Sequence, residues 1–231
     1  PPLFFFMQMR AFEIRLSLVG SEMCIRDCSY LAGFEDLAFN ALKKKGTDFS
    51  IYKGPKGLEK FENSCIEKGK DMRPQDVIEW WRLSRAKVVE TLADSTPGRK
   101  IKWWHKEIDY LTFASSKLAE TWAHGLDIYA SMKKDYEDTT RIEHVALFGW
   151  LNAEKVSKEN KTKFQDLRVE LIGPEYKAWQ FGNEKSENSV KGNASDWCRI
   201  ITGRVDKSFK PTLSAEGDFA KKFIKFNHVK I

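Results

Sequence analysis

KLAETWAHGLDIYA, residues 117–130, decides how the chain is read. At 100° per residue, Trp122, Leu126 and Tyr129 fall within about 80° of Leu118 and make one apolar stripe. Glu120, His124 and Asp127 fall roughly 180–240° away and make a second, polar one. A glutamate and a histidine four residues apart have β-carbons close enough for both side chains to grip one ion. Imidazole nitrogen with carboxylate oxygen suits Zn²⁺, Fe²⁺ or Ni²⁺, and the interior of a helical bundle can supply a further ligand. The same spacing also describes a solvated helix face with a weak i,i+4 pair. Spacing alone leaves both readings open.

The rest of the chain limits what this helix can belong to. The 231 residues suffice for one large or two small domains with a core, and the composition (42% hydrophobic, 31% charged) is that of a globular protein. Eight tryptophans call for large buried aromatic contacts. The net charge of +6 permits an anionic partner. Its lysines are dispersed, with only short runs such as Lys43-Lys44-Lys45, so no nucleic-acid stripe is expected. Cys24, Cys28, Cys65 and Cys198 are too few for a disulfide framework and point to the reduced cytoplasm. No apolar run is long enough to span a bilayer, and no membrane role is expected.

The first residues form a separate case. PPLFFFMQMRAFEIRLSLVGSEMCIRD, 1–27, has an apolar start but lacks the basic region, apolar core and cleavage site of a secretory signal. The run FEIRLSLVGSEMCIRD resembles the translation of a sequencing-adapter remnant. On that reading residues 1–28 are non-native, the folded unit begins near Ser29, and Cys24-x3-Cys28 is no metal motif. The alternative is a genuine amphipathic N-terminal strand or helix. Setting the segment aside leaves the charge unchanged, because Arg10, Arg15 and Arg26 offset Glu13, Glu22 and Asp27.

Beyond it, helical periodicity predicts a helix over 29–46, ending at Lys-Lys-Lys-Gly, and a second over 56–70. A third starts at Pro74, a favourable first-turn proline, and a fourth spans 107–133 after the apolar connection IKWW. The fifth, 139–159, opens with Thr139-Thr140 as candidate caps. After Asn160 the period changes to two. LRVELIGPEYKAWQFG reads as strand, Gly-Pro turn and strand, SENSVKG as a third strand, and ASDWCRIITGRVD and AEGDFAKKFIKFNHV as short helices. The expected architecture is mainly α, a bundle over 29–160 followed by a small α+β domain over 161–231.

ETWAHGLDIYASM followed by DTTRIEHVALFGW resembles the mycothiol-dependent maleylpyruvate isomerase family, whose N-terminal half is a DinB-like four-helix bundle. RVELIGPEYKAWQFG, VKGNASDWCRIITGR and LSAEGDFAKKF resemble the C-terminal domain of one branch of that family. The resemblance runs from Ser29 to the end, with ETWAHGxD its most specific piece. It implies one divalent ion, zinc first among the candidates, held by the Glu and His of ExxxH, here Glu120 and His124, and by a histidine on an early helix. That histidine belongs to a His-Leu-Ala motif, and this chain has Tyr30-Leu31-Ala32 in its place. The family's preceding helix is largely absent, so the bundle reads as truncated at its start.

The resemblance further implies mycothiol or another low-molecular-weight thiol adding to a small electrophile, in an isomerisation or an S-transfer by a monomer or homodimer. Asp127 is a candidate to orient His124 or simply to hydrate the helix end. Arg204 stands where the family has an arginine near its thiol or substrate, though it also reads as a plain surface arginine. The alternative is a non-catalytic bundle, binding a small molecule or partner, whose metal site has decayed at Tyr30. Other candidates carry less. His144 reads as a bundle-face residue, and His105 as packing or pocket mouth beside Trp103-Trp104. Cys65 and Cys198 lack neighbours that would activate a thiolate. No nucleophile elbow, phosphate loop or dinucleotide fingerprint is present.

Overall fold

The computed structural model describes residues 22–43, 47–52, 55–96, 98–104, 106–205, 209–226 and 228, which hold eight α-helices and six strands. Most of the adapter-like run, Lys44-Lys45, Gly54, Pro97 and His105 lie outside the described residues. As expected, helices come first and a small α+β arrangement follows. The chain divides into two compact units, one comprising residues up to Ala114 with His124–Asp135, the other Ser115–Ala123 with Tyr136–Ile231. The helices predicted after residue 139 therefore group with the strands, and not with the first three helices.

In the first unit, α1 (Glu22–Leu42), α2 (Pro55–Lys70) and α3 (Pro74–Ala93) are joined by the C-terminal part of α4 (Tyr110–Ser131). Leu31, Phe34, Leu37, Ala38, Ala41 and Leu42 line the buried side of α1, as their helical spacing predicts. The helix starts earlier than Ser29, and Asp27 and Cys28 are both buried in it. Gly33 lets α2 approach closely, since a β-carbon there would stand 2.1 Å from Cys65 Sγ. A polar clasp ties α1 to α3: Trp80 Nε1 donates to Asp36 Oδ2 at 2.7 Å and Ser84 Oγ to Asp36 Oδ1 at 2.6 Å. Cys28, Val77, Ile78 and Ile128 form one apolar cluster of this unit.

The connection IKWW turns out to be half of a hairpin. β1 (Lys100–Trp103) pairs antiparallel with β2 (Lys106–Asp109), with Ile101 and Trp103 buried and Lys100 and Lys102 exposed. That alternation is a strand period, overridden in the sequence reading by the apolar density of the run. Asp109 then caps α4 by accepting from Thr112 N at 3.0 Å.

In the second unit, the predicted helix over 139–159 is broken at Asn152 into α5 (Ile142–Leu151) and α6 (Ala153–Glu159). Neither start has a side-chain cap, so Thr139 and Thr140 do not cap them. The three predicted strands are present as β3 (Arg168–Ile172), β4 (Ala178–Phe181) and β5 (Ser189–Asn193), with α7 (Ala194–Ile201) after them. A short β6 (Ser214–Glu216) completes the sheet, in the order β4-β3-β5-β6, and α8 (Asp218–Phe223) follows. β3 and β5 run parallel, while both outer pairings are antiparallel. Trp197 on α7 is fully buried, stacks on Phe223 and donates to Ala146 O at 3.1 Å. Gly149 permits α5 to meet α7, where a β-carbon would lie 2.8 Å from Ile201.

Candidate metal centre on the long helix

Both stripes of α4 are covered. On the apolar one Trp122 and Leu126 are buried, and Trp122 Nε1 donates to Asp138 Oδ1 at 2.7 Å. On the polar one Glu120 is 6% and His124 8% exposed, which excludes the solvated-face reading of the pair.

His124 sits in a small polar cluster of the first unit. Its Nδ1 lies 3.3 Å from Asp27 Oδ1 and 3.8 Å from Asp127 Oδ2. Among the described residues these three side chains are the group able to converge on a metal ion, with ligand atoms within 4.8 Å of one another. Two buried atoms of the cluster, His124 Nε2 and Asp27 Oδ2, have no hydrogen-bond partner. A buried imidazole nitrogen left so costs free energy unless a cation or donor meets it. With nitrogen and carboxylate oxygens at hand, the residues present fit a divalent ion of the zinc, iron or nickel type.

The surroundings of the imidazole come from three helices. Tyr30, on α1, packs its ring against that of His124 with centroids 4.5 Å apart, and stacks on Phe34 at 4.2 Å. It is thus placed beside the histidine, with ring packing as the contact. Glu62, on α2, is half-buried; burial raises its carboxyl pKa, Glu59 adds to the rise, and His124 pulls it back.

The other predicted site residues are placed differently. Glu120 accepts from the ammonium of Lys117 at 2.5 Å, a buried pair one turn apart in the second unit. Arg204, also in the second unit, donates through Nη1 to Thr202 O at 2.7 Å, just past the end of α7. His144 is exposed. Burial pushes the Cys65 thiol up to about 11 and the Cys198 thiol well above its ordinary value, so neither is a thiolate near neutral pH. Asp27 and Lys117 are the partners that the sequence reading did not name.

Residues 33–129 match the family described as mycothiol maleylpyruvate isomerase N-terminal domain. An uncharacterized protein of Mycobacterium tuberculosis, matched in two strains, is 29% identical over 133 residues, which cover 57% of this chain and 52% of that protein. The chain thus spans about half the length of these curated relatives. A crystal structure of the mycothiol-dependent maleylpyruvate isomerase aligns over 86% of this chain and 80% of that one, with a TM-score of 0.50 and 16% identity. That likeness concerns the fold: a DinB-like helical bundle with a small sheet region after it. No helix among the described residues is long and apolar enough to cross a membrane.

Proposed function

Taking residues 33–129 as a mycothiol maleylpyruvate isomerase N-terminal domain, we propose that the chain binds a divalent metal and acts as a thiol-dependent isomerase or S-transferase. The observation that carries this is the buried His124 with Nε2 unpartnered, on a helix that the family match covers. Its partners are a small-molecule electrophile and a low-molecular-weight thiol, mycothiol first among them.

We assign the ion, with zinc as first candidate, to His124 and to Glu120 one turn earlier on α4, as the resemblance implies. Asp27 and Asp127 are taken as the residues that orient His124 and not as ligands. When bound, a divalent ion lowers the pKa of a thiol or a water, so a nucleophile is available near neutral pH. The chain's own residues do the positioning. Asp27 and Asp127 stand on the Nδ1 side of His124, and a carboxylate there fixes the tautomer and leaves the Nε2 lone pair to face a cation. Tyr30 holds one side of the imidazole through ring packing, where the family has a third ligand. Arg204 is the residue we assign to the anionic end of thiol or substrate, a role suited to its planar fork.

The experiment is metal analysis of the purified chain beside His124→Ala, with mycothiol and maleylpyruvate as first reactants. One zinc per chain and thiol-dependent turnover are expected, both lost in the variant. Stoichiometric metal retained by His124→Ala would sink the assignment. Bound metal without turnover of any electrophile would favour a non-catalytic bundle, a reading that the Lys117–Glu120 pair and Tyr30 both support.

A further inference from the structure

Lys117 is a buried charge that the chemistry above does not use. Its side chain is 5% exposed, and that of its partner Glu120 is 8% exposed. Lysine is almost never buried this deeply without a partner, and the cost of desolvating both charges is met only by close pairing. The i,i+3 spacing on α4 brings the ammonium onto Glu120 Oε2.

We propose that Lys117 is a built-in counter-charge for Glu120: it holds the carboxylate in the ion-free chain and competes with any divalent ion that takes it. The inference rests on the metal-binding reading and deepens it. A glutamate buried to await an ion is a bare charge whenever the ion is absent, and an uncompensated buried charge destabilises the fold. A lysine relieves this, because three donors on a flexible stem hold the oxygen and then swing off it. The same ammonium repels an incoming cation and weakens the oxygen as a ligand. Lys117 therefore stabilises the ion-free bundle and lowers its metal affinity. A merely structural ion pair would do only the first.

The test uses the full chain, zinc alone as the probe, and Lys117→Met, which keeps the length of the stem. Zinc affinity is read by competition with a chelating dye, and Tm is measured with and without zinc. Lys117→Met is expected to bind zinc at least about tenfold more tightly, a gain of about 1.4 kcal/mol. Its ion-free Tm is expected to fall by several degrees and to be restored by zinc, and the tighter binding to vanish in Lys117→Met/Glu120→Gln. Lys117→Arg, whose fork stays on the carboxylate, should weaken zinc, and it keeps the test decisive if the methionine variant does not fold. Unchanged or weaker zinc binding in Lys117→Met overturns the inference. So does an unchanged affinity in Glu120→Gln; if His124→Ala still loses the ion, the metal reading survives that failure. No zinc binding by the parent chain overturns both.

Discussion

Asp36 and Asp27 lie on the same helix, α1, and their oxygens are treated in opposite ways. Asp36 has both oxygens engaged, by Trp80 and Ser84 on α3, at ordinary hydrogen-bond lengths. Asp27 is more deeply buried, yet its Oδ2 has no partner while Oδ1 faces His124. A fully engaged carboxylate holds two helices together. A half-engaged one is a charge waiting for a cation or a residue never selected for its place.

The largest effect expected on either side of this comparison is in the clasp. Asp36→Ala leaves an indole N–H and a hydroxyl without their acceptor, at about 1–3 kcal/mol for each donor left buried and unpaired. Trp80 is partly accessible while Ser84 is buried, so a total of about 2–4 kcal/mol is expected, read as a lower denaturant midpoint with zinc affinity unchanged. A variant of normal stability, or one that loses zinc, would erase the distinction between the two aspartates.

Asp27→Asn is the next test, and it bears on the adapter-like run to which Asp27 belongs. Asparagine keeps an oxygen for His124 and removes the charge, so zinc affinity is expected to change less than about threefold. The ion-free Tm should hold or rise, because a buried carboxylate with one oxygen unpartnered gives way to a neutral amide that keeps an oxygen for His124. A tenfold fall in zinc affinity would make Asp27 a ligand and remove the ground for calling residues 1–28 foreign.

What the sequence disclosed follows the range of the interactions involved. Helical spacing gave α1, α2, α3 and α4, and the change to period two announced β3, β4 and β5 before any contact was known. Spacing separates the two α4 stripes, but the burial of Glu120 and His124, left open by spacing alone, comes from the structure. Lys117 was readable too, three residues before Glu120 in the same stretch, but a lysine there reads as an exposed helix residue until burial is known. Glu62 and Tyr30 meet His124 only through helix packing, which spacing does not encode. For Tyr30 a family motif supplied the link. The hairpin at Lys100–Trp103 was missed because four residues are too few to separate a strand period from an apolar run. Asparagine is a known helix-ending residue, yet the break at Asn152 lies inside a run whose apolar spacing reads as one continuous helix.

The smallest effects concern two further carboxylates, Asp109 and Glu62, whose pKa values shift in opposite directions. Burial raises that of Asp109, but hydrogen bonds from Thr112 outweigh it and hold the carboxyl below its ordinary value. Its contribution is thus present above the unfolded value of about 3.9 and lost as pH falls through the folded one. Asp109→Ala should cost about 1 kcal/mol at pH 7, a helix-cap loss, and progressively less in acid. Glu62 is the reverse case, raised by burial and by Glu59 against the pull of His124. Its contribution is complete below the unfolded value of about 4.3 and is lost as pH rises through the folded one. Glu62→Gln should therefore raise Tm slightly at pH 7, with the gain fading towards pH 4, the more so because solvent screens a half-exposed group. Thermal melts of both variants across this range check the pair. Slopes of the same sign would mean that the Glu62 carboxylate feels the His124 cluster more strongly than its own burial.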